Sequence, residues 1–599
     1  MVDWMSERET LPELITRVLS EPRDRALSER RGDGWADLSS TELLERARNI
    51  ACAIRAAGLQ GGDRVALIGH NSIDWVATSF GILMSGCIVV PIYPTQAGDI
   101  TAYILKHSEA KMLVVDTEAT LQMLGAAIPV LPRAIVFESK GPFALSTFES
   151  DGAKARAADS SLPESYYASL AADDLAILIY TSGTTGNPKG VMLSHDNIAF
   201  DAKSSLYGAF AVLTPQDRVL SVLPFSHIYE QTMMFIYFLA KPTYFICHDA
   251  NELISDLLHV RPNYMTCVPR IFDRLLAGIN GNALRAGGIQ ARLVPWALRT
   301  ARHWARAKTF GGFNPLLSAQ YAVAKRLVLD KVRSRLGLDA MKFFSSGSAA
   351  LHVDVAMTYL GLGMPIMQGY GLTETSPVVT VNYPEKNKYG SVGAVIPGVD
   401  VSIAADGEVL TRGRHVMLGY YREPEATQAV LSGGWFHTGD IGEVDENGYL
   451  TITDRKKEVF KTATGKFVAP ARVESAIKRS MFVAQAMVFG DGRPYPGALV
   501  CPNWENLRAE LELPTDATVD DLAKRDDVKA FYSAEVRKRT ADLGSFEQIR
   551  RAVVIPREFS VESGELSPSM KVKRRVVESR YAGAIDEFYR SDPKIQSVA

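Results

Sequence analysis

The sequence predicts an α/β protein. A large N-terminal part carries mixed, largely parallel sheets, a β-rich stretch follows, and the C-terminal part reads as α+β. Three observations point there. From Ser40 onward, short apolar β-rich runs alternate with helical periodicities. After about Val392, Gly, Asp and short alternating runs dominate through Leu450, which predicts a smaller β-rich subdomain over about 392–453. Beyond Asp454, a charged segment opens a mixed pattern that runs to the C-terminus.

Taken in order, Thr41–Ala57 sets Leu44, Ala47, Ala51 and Ile54 on one face and stops before Gly58, as a helix would. Arg64–Gly69 reads as a buried strand, Ile73–Met84 as a helix and Cys87–Ile92 as another strand. Further strands are predicted at Met112–Val115, Leu175–Tyr180, Arg218–Leu223, Tyr264–Val268 and Lys342–Phe344. The Ala-, Ser- and Asp-rich stretch Asp151–Ala172 reads as a linker or surface excursion.

With 599 residues the chain is too long for one compact domain, and about 150 residues per module suggests three or four. Lys and Arg number 66 against 68 Asp and Glu, so no global charge recommends nucleic acid or a membrane surface as partner. Local patches are a separate matter. The five cysteines are scattered and form no CxxC pair, which disfavours a zinc site or disulfide framework and favours a reducing compartment. The N-terminus carries acids and lacks an apolar core, unlike a secretory signal. The apolar runs Gly81–Ile92 and Met233–Ala240 fall short of the roughly 20 residues needed to span a bilayer. The expected location is cytoplasmic, with peripheral membrane contact at most.

The strand Leu175–Tyr180 runs directly into Thr181, Ser182, Gly183, Thr184, Thr185, Gly186, Asn187, Pro188, Lys189 and Gly190. The glycines allow close backbone approach, while the hydroxyls and amides can wrap phosphate oxygens. Lys189 adds a positive charge on a flexible stem. The spacing does not fit GxxxxGK[ST], so a P-loop NTPase is disfavoured. Standing alone, such a loop is as often a flexible connection as a phosphate cradle.

In company it is more specific. Tyr180–His195 (YTSGTTGNPKGVMLSH) resembles the phosphate-loop signature of the adenylate-forming superfamily: acyl-CoA synthetases, peptide-synthetase adenylation domains and luciferases. Four further segments agree in order. Ser345–Leu351 offers Gly347, Ser348 and Ala349 as open backbone for an adenine edge. Gln368–Pro377 supplies Gln368, Gly369, Tyr370 and Gly371, with Tyr370 a face for adenine, and Thr373 for phosphate. Glu374 in that segment is similar to the family's Mg²⁺ ligand, with Thr181 as a second contact to the metal. Gly434–Asp440 ends in Asp440, which the resemblance assigns to the ribose hydroxyls, a diol that a carboxylate can hold with two hydrogen bonds. In Asp454-Arg455-Lys456-Lys457-Glu458, Arg455 resembles the contact to ribose and α-phosphate, and Asp454 sits at the family's hinge. Lys457 and Lys461 are further nucleotide candidates.

The resemblance thus implies an adenylation domain over 1–453 and a small mobile domain over 454–599. The family's last motif carries a catalytic lysine after a Gly. Here Glu565 stands where the simplest alignment expects it, and the run Gly564–Lys571 is similar to long-chain fatty-acyl ligases, so Lys571 is assigned, with Lys573 the alternative. Bare, Lys571–Arg575 would be only a basic surface stretch. His195 and His227 lie beside motifs, yet a carboxylate substrate is already ionised at neutral pH and needs no general base. His437 reads as a local support.

What the resemblance implies is a long-chain fatty-acid–CoA ligase. ATP, a fatty acid and coenzyme A are the substrates, Mg²⁺ assists, and Lys189, Glu374 and Lys571 act on the phosphates. The carboxylate attacks the α-phosphate, the small domain turns about Asp454, and the CoA thiol then displaces AMP. Tyr229, Met233, Met234, Phe235 and Phe238 could line an acyl channel, or equally form a buried helix face. Two other readings stay open. One is a fatty-acyl-AMP ligase loading a carrier protein, against which Pro377–Trp435 shows no inserted element. The other is a non-catalytic nucleotide or acyl-adenylate binder on the same fold. A homodimer is carried over by analogy alone.

Overall fold

Runs of Val, Ile and Leu that are apolar on both faces can be satisfied only inside a sheet covered on both sides, and two such sheets form. In the computed structural model, residues 4–32, 34–96, 98–127, 133–181, 187–312, 314–456, 458–514, 516–567 and 571–591 are described. They divide into two units. One comprises Met1–Ser402, Leu410–Thr438 and Val444–Thr451; the other comprises Ile403–Val409, Gly439–Glu443 and Ile452–Ala599.

The first unit holds both large sheets. Seven strands lie in the order Gly419–Tyr420, Lys189–Ser194, Leu175–Thr181, Ile88–Ile92, Arg64–Ile68, Met112–Thr117 and Arg133–Glu138. The five from Leu175–Thr181 onward are parallel, and Lys189–Ser194 returns antiparallel from the phosphate-loop turn. Nine strands make the other sheet, with a parallel middle built from Ile366–Gly371, Phe343–Ser346, Tyr264–Cys267, Arg218–Ser221, Thr243–Ile246 and Leu27–Arg31. The predicted strands therefore appear within a residue or two of their predicted bounds. The helix Ile73–Met84 is as expected, capped by the Ser72 side chain, which accepts the Trp75 amide. Among the described residues, no helix is long and apolar enough to cross a membrane.

One expectation fails. Asp151–Ala172 is not a linker: the helix Leu145–Ala158 runs into it and Leu162–Tyr167 follows. The helix Leu145–Ala158 lies closely against Ser40–Ala56. Its small residues are what lets two backbones approach. A methyl group added at Gly152 would run into the Asn49 carbonyl. Sequence patterning also did not reveal the helices Pro269–Ala286, Gln290–Phe310 and Pro315–Ala324, which lie between two strands of the nine-stranded sheet.

The second unit has its own core, centred on the strands Val483–Phe489, Gly497–Pro502 and Ala552–Val554 and closed by Pro470–Ile477, Asp526–Thr540 and Ala582–Arg590. It is α+β, as the sequence predicts.

Gly152→Val should destabilise the first unit by about 1–3 kcal/mol through overpacking. Gly278→Ala, on a helix where an added methyl group would meet open space, should instead be neutral or slightly stabilising. Denaturation midpoints of the two full-length variants check the pair; an unchanged midpoint for Gly152→Val counts against the close contact.

Candidate active site

The phosphate loop is the turn of a hairpin. Thr181 pairs with Lys189 at the end of the antiparallel ladder, and the two-residue strand Gly419–Tyr420 beside Lys189–Ser194 ends the seven-stranded sheet. Ser182, Gly183, Thr184, Thr185 and Gly186 lie outside the described residues, as does Lys457. The Lys189 ammonium sits 4.8 Å above the Tyr420 ring and 3.6 Å from the Glu423 carboxylate. The Tyr420 hydroxyl donates to Oε1 of Glu374 at 2.8 Å. Tyr420 thus joins two residues that the sequence suggested independently. The strand Gly419–Tyr420 is held against Lys189–Ser194, and the Tyr421 amide donates to the Gly190 carbonyl at 2.7 Å. Tyr420 and Glu423 also line an open cleft of about 550 Å³.

Glu374 stands in the short helical turn Thr373–Thr375, and its presentation is fixed from behind. The Met417 amide donates to the Glu374 carbonyl at 2.9 Å. The Thr232 hydroxyl donates to the Ser376 carbonyl at 2.6 Å, and the Thr375 hydroxyl to the Pro377 carbonyl at 2.6 Å. Asp201, on the helix His195–Tyr207, accepts the Val378 amide at 3.2 Å. Its carboxyl is wholly buried, and burial holds its pKa well above the ordinary aspartate range despite that amide. Gln368, Gly369, Tyr370 and Gly371 form the half-buried end of the strand leading to this turn. A side chain at Gly371 would run into the Pro377 carbonyl.

Gly347 follows the strand Phe343–Ser346, and the Tyr229 ring lies where a side chain at Gly347 would go. The Tyr229 and Tyr264 hydroxyls both meet Ser345 Oγ, at 2.9 and 2.5 Å. Ser348 is left-handed, with φ 67°, and Ala349 is exposed. Met233, Met234, Phe235 and Phe238 are packed into the core as a buried helix face. Glu230 lies among them. Burial pushes its pKa up to about 8, against the Ser221 hydroxyl donating at 2.5 Å and the more distant Tyr244 hydroxyl. A carboxylic acid, not a carboxylate, is therefore the main form there at neutral pH.

The second unit gathers its own set. Arg455 Nε donates to Asp440 Oδ1 at 2.8 Å, so the two residues suggested for the ribose are partners. Lys456 bridges Asp406 and Glu408 at 2.7 and 2.9 Å. Lys461 is exposed, with its ammonium 5.5 Å above the Phe467 ring. Lys571 and Lys573 lie on a tight hairpin. Leu566 pairs with Val572, the Ser567 amide donates to the Lys571 carbonyl, and the Lys573 amide donates to the Glu565 carbonyl. Val572 packs against the core of this unit, Lys571 is exposed and Lys573 is half-buried. Glu565 is buried and paired with Arg580 at 3.0 Å, a structural position. Arg574, next to Lys573, is clamped by Glu474 at 2.7 Å and Glu458 at 3.1 Å.

The histidines do structural work. His195 accepts the Leu11 amide, and burial lowers its pKa to about 4. His227 caps its helix by accepting the Tyr229 amide, and His437 meets the Ser432 hydroxyl. Among the described residues, no group of three His, Cys, Asp or Glu could hold a metal by itself. Glu374 as a single carboxylate fits a hard cation only if substrate phosphates complete its shell. Tyr420, Glu423, Asp201 and Arg574 escaped the sequence reading. Their one legible signal was Pro424, placed to open a helix just after Glu423.

Comparison with known proteins defines the class. The model of the AMP-binding enzyme family matches residues 16–421, and that of the AMP-binding enzyme C-terminal domain matches 457–593. The chain belongs to this adenylate-forming family. Among curated relatives, the long-chain-fatty-acid–CoA ligase FadD15 of Mycobacterium bovis is 34% identical over 595 residues, 98% of each chain. The long-chain-fatty-acid–CoA ligase ACSBG2 of Homo sapiens is 31% identical, covering 94% of this chain and 90% of its own. The fold is shared with solved structures. One is the adenylation domain of a carboxylate reductase from Mycobacterium chelonae (TM-score 0.74, 22% identity, 98% and 92% covered). Another is ATP-bound MatB from Rhodopseudomonas palustris (TM-score 0.70, 24% identity, 95% and 99% covered).

Asp454 offers a pH test. Burial, the largest cause, raises its pKa from 3.8 to about 6, and among the described residues its Oδ2 has no hydrogen-bond partner. A folded pKa above the unfolded one gives stability that is full below about pH 3.8 and lost as pH rises through about 6. Asp454→Asn keeps the acceptor for the Arg455 amide. Its stability relative to wild type should rise across that window and level off above it, read by thermal denaturation; a pH-independent difference would contradict the assignment.

Proposed function

We propose that the chain is an ATP-dependent long-chain fatty-acid–CoA ligase. ATP and coenzyme A are its co-substrates, as its family membership implies. The observation that carries the site assignment is the arrangement of Lys189, Tyr420 and Glu374 at the foot of the phosphate-loop hairpin. There, a cation and a carboxylate are held ready at one edge of a sheet.

In the first half-reaction the fatty carboxylate attacks the α-phosphate of ATP, the bond to the β-phosphate breaks, and acyl-AMP and pyrophosphate result. Such a transfer needs positioning and charge neutralisation more than covalent help. Lys189 meets the phosphate tail, and Tyr420 orients Glu374 through its hydroxyl. Glu374, with Thr181 as a second oxygen donor, would hold Mg²⁺, which supplies positive charge to the phosphate oxygens. Gly347, Ser348, Ala349 and Tyr370 receive the adenine, and Asp440 the ribose, with Arg455 and Lys461 beside it. The family resemblance assigns Lys571 to the α-phosphate. In the second half-reaction the CoA thiol attacks the acyl carbonyl and AMP leaves, with Asp454 as the pivot between the two steps. The closed packing around Met233 and Phe238 means an acyl chain enters beside this helix, or displaces side chains, to be held.

Glu374→Ala should cut acyl-AMP formation about a hundredfold or more, measured as ATP–pyrophosphate exchange with a long-chain acid. Lys571→Ala should slow adenylation similarly while sparing conversion of supplied acyl-AMP to acyl-CoA. If Lys573→Ala instead removes adenylation and Lys571→Ala does not, the lysine assignment moves to Lys573. Acyl-AMP accumulating despite free CoA would point to a carrier-protein ligase, and no pyrophosphate release with any fatty acid would overturn the enzymatic reading.

A further inference from the structure

Charge is distributed very unevenly along a chain that is nearly neutral overall. From Arg274 to Leu329 there are nine Lys and Arg and no Asp or Glu, in a protein whose formal charge is −2. This stretch is the helical excursion Pro269–Ala286, Gln290–Phe310 and Pro315–Ala324 of the first unit. The helix Gln290–Phe310 buries Ala297, Ala301 and Ala305 on one face. That face packs on Val353–Gly361, where Gly361 lies against the Ala301 backbone. On the opposite face Arg292, Arg299 and Arg306 recur at seven-residue spacing, all exposed, and Arg306 pairs with Asp354 at 3.1 Å.

The same pair of helices exposes large apolar side chains. Ile289 and Phe310, at the two ends of that helix, are 77% and 55% exposed. On the next helix Leu316 is 68% and Val323 51% exposed, again seven residues apart on one face. The two helices are pinned together by the Trp304 and Tyr321 rings, stacked at 3.9 Å. Basic residues alone would suit any polyanion. Apolar groups of this size interleaved with arginines suit an interface that accepts both, with anionic headgroups above and acyl chains beneath.

We propose that the outer faces of Gln290–Phe310 and Pro315–Ala324 dock the protein on an anionic lipid bilayer. Arg292 and Arg299 contact headgroup phosphates, while Ile289, Phe310 and Leu316 enter the headgroup–acyl boundary. Each arginine at such a surface contributes about fivefold to binding, and the attraction weakens with salt. A ligase for long acyl chains so placed would meet its apolar substrate where that substrate partitions. That benefit rests on the proposed activity; the surface itself does not.

The test is sedimentation of the full chain with phosphatidylcholine vesicles with and without phosphatidylglycerol. Salt-sensitive binding is expected only when phosphatidylglycerol is present. Arg292→Gln with Arg299→Gln should weaken it about thirtyfold. Ile289→Ser with Phe310→Ser should weaken it while leaving the salt sensitivity. All four positions are exposed and outside the catalytic set, so turnover of a dispersed fatty acid should be unchanged. No binding to either vesicle, equal binding to both, or binding that neither double variant alters would overturn the proposal. Preferential binding of duplex DNA over the vesicles would do so too. Vesicle binding needs no turnover, so the surface and the proposed activity stand or fail separately.

Discussion

The turn that presents Glu374 is irregular backbone, and irregular backbone inside a protein must find partners outside regular ladders. Asp201 accepting the Val378 amide is the deepest of those partnerships. With Thr232 on the neighbouring helix and the Met417 amide, it ties the turn to elements on either side of it. A buried N–H left without an acceptor costs roughly 1–3 kcal/mol, and a buried carboxyl costs more unless it stays neutral. Burial keeps Asp201 on the neutral side. The half-buried acid of the turn is thus backed by one that is wholly buried.

Both units hold candidate site charges in pairs. Lys189 lies near Glu423, Arg455 meets Asp440, and Arg574 is gripped by two glutamates. Pairing of this kind holds long side chains in one geometry, so less rotamer freedom would be lost on meeting an anionic ligand. The exposed members are worth little to stability on their own, and their value lies in orientation.

Sequence made the sheets legible because strands buried on both faces are continuous apolar runs, as at Arg64–Ile68 and Met112–Thr117. It made Lys189 a candidate through its Gly- and Thr-rich loop, and Glu374, Asp440 and Arg455 through the resemblance of their segments to the family's motifs. It could not reveal Tyr420, whose role arises only when a short strand pairs with the Lys189 strand more than two hundred residues earlier. Nor could it tell packing from looseness in Asp151–Ala172, since small residues serve both. The apolar residues around Met233 illustrate the same limit: composition suits a channel and a core alike, and only the closed packing distinguishes them.

The hairpin that carries Lys571 and Lys573 has a consequence for redesign. Position 565 is occupied by a buried acid that pairs with Arg580. A lysine placed there, to imitate the more familiar arrangement of the family, would bring a second cation up to Arg580 and remove that guanidinium's carboxylate partner. The acid at 565 and its arginine therefore have to change together with any lysine moved to that position.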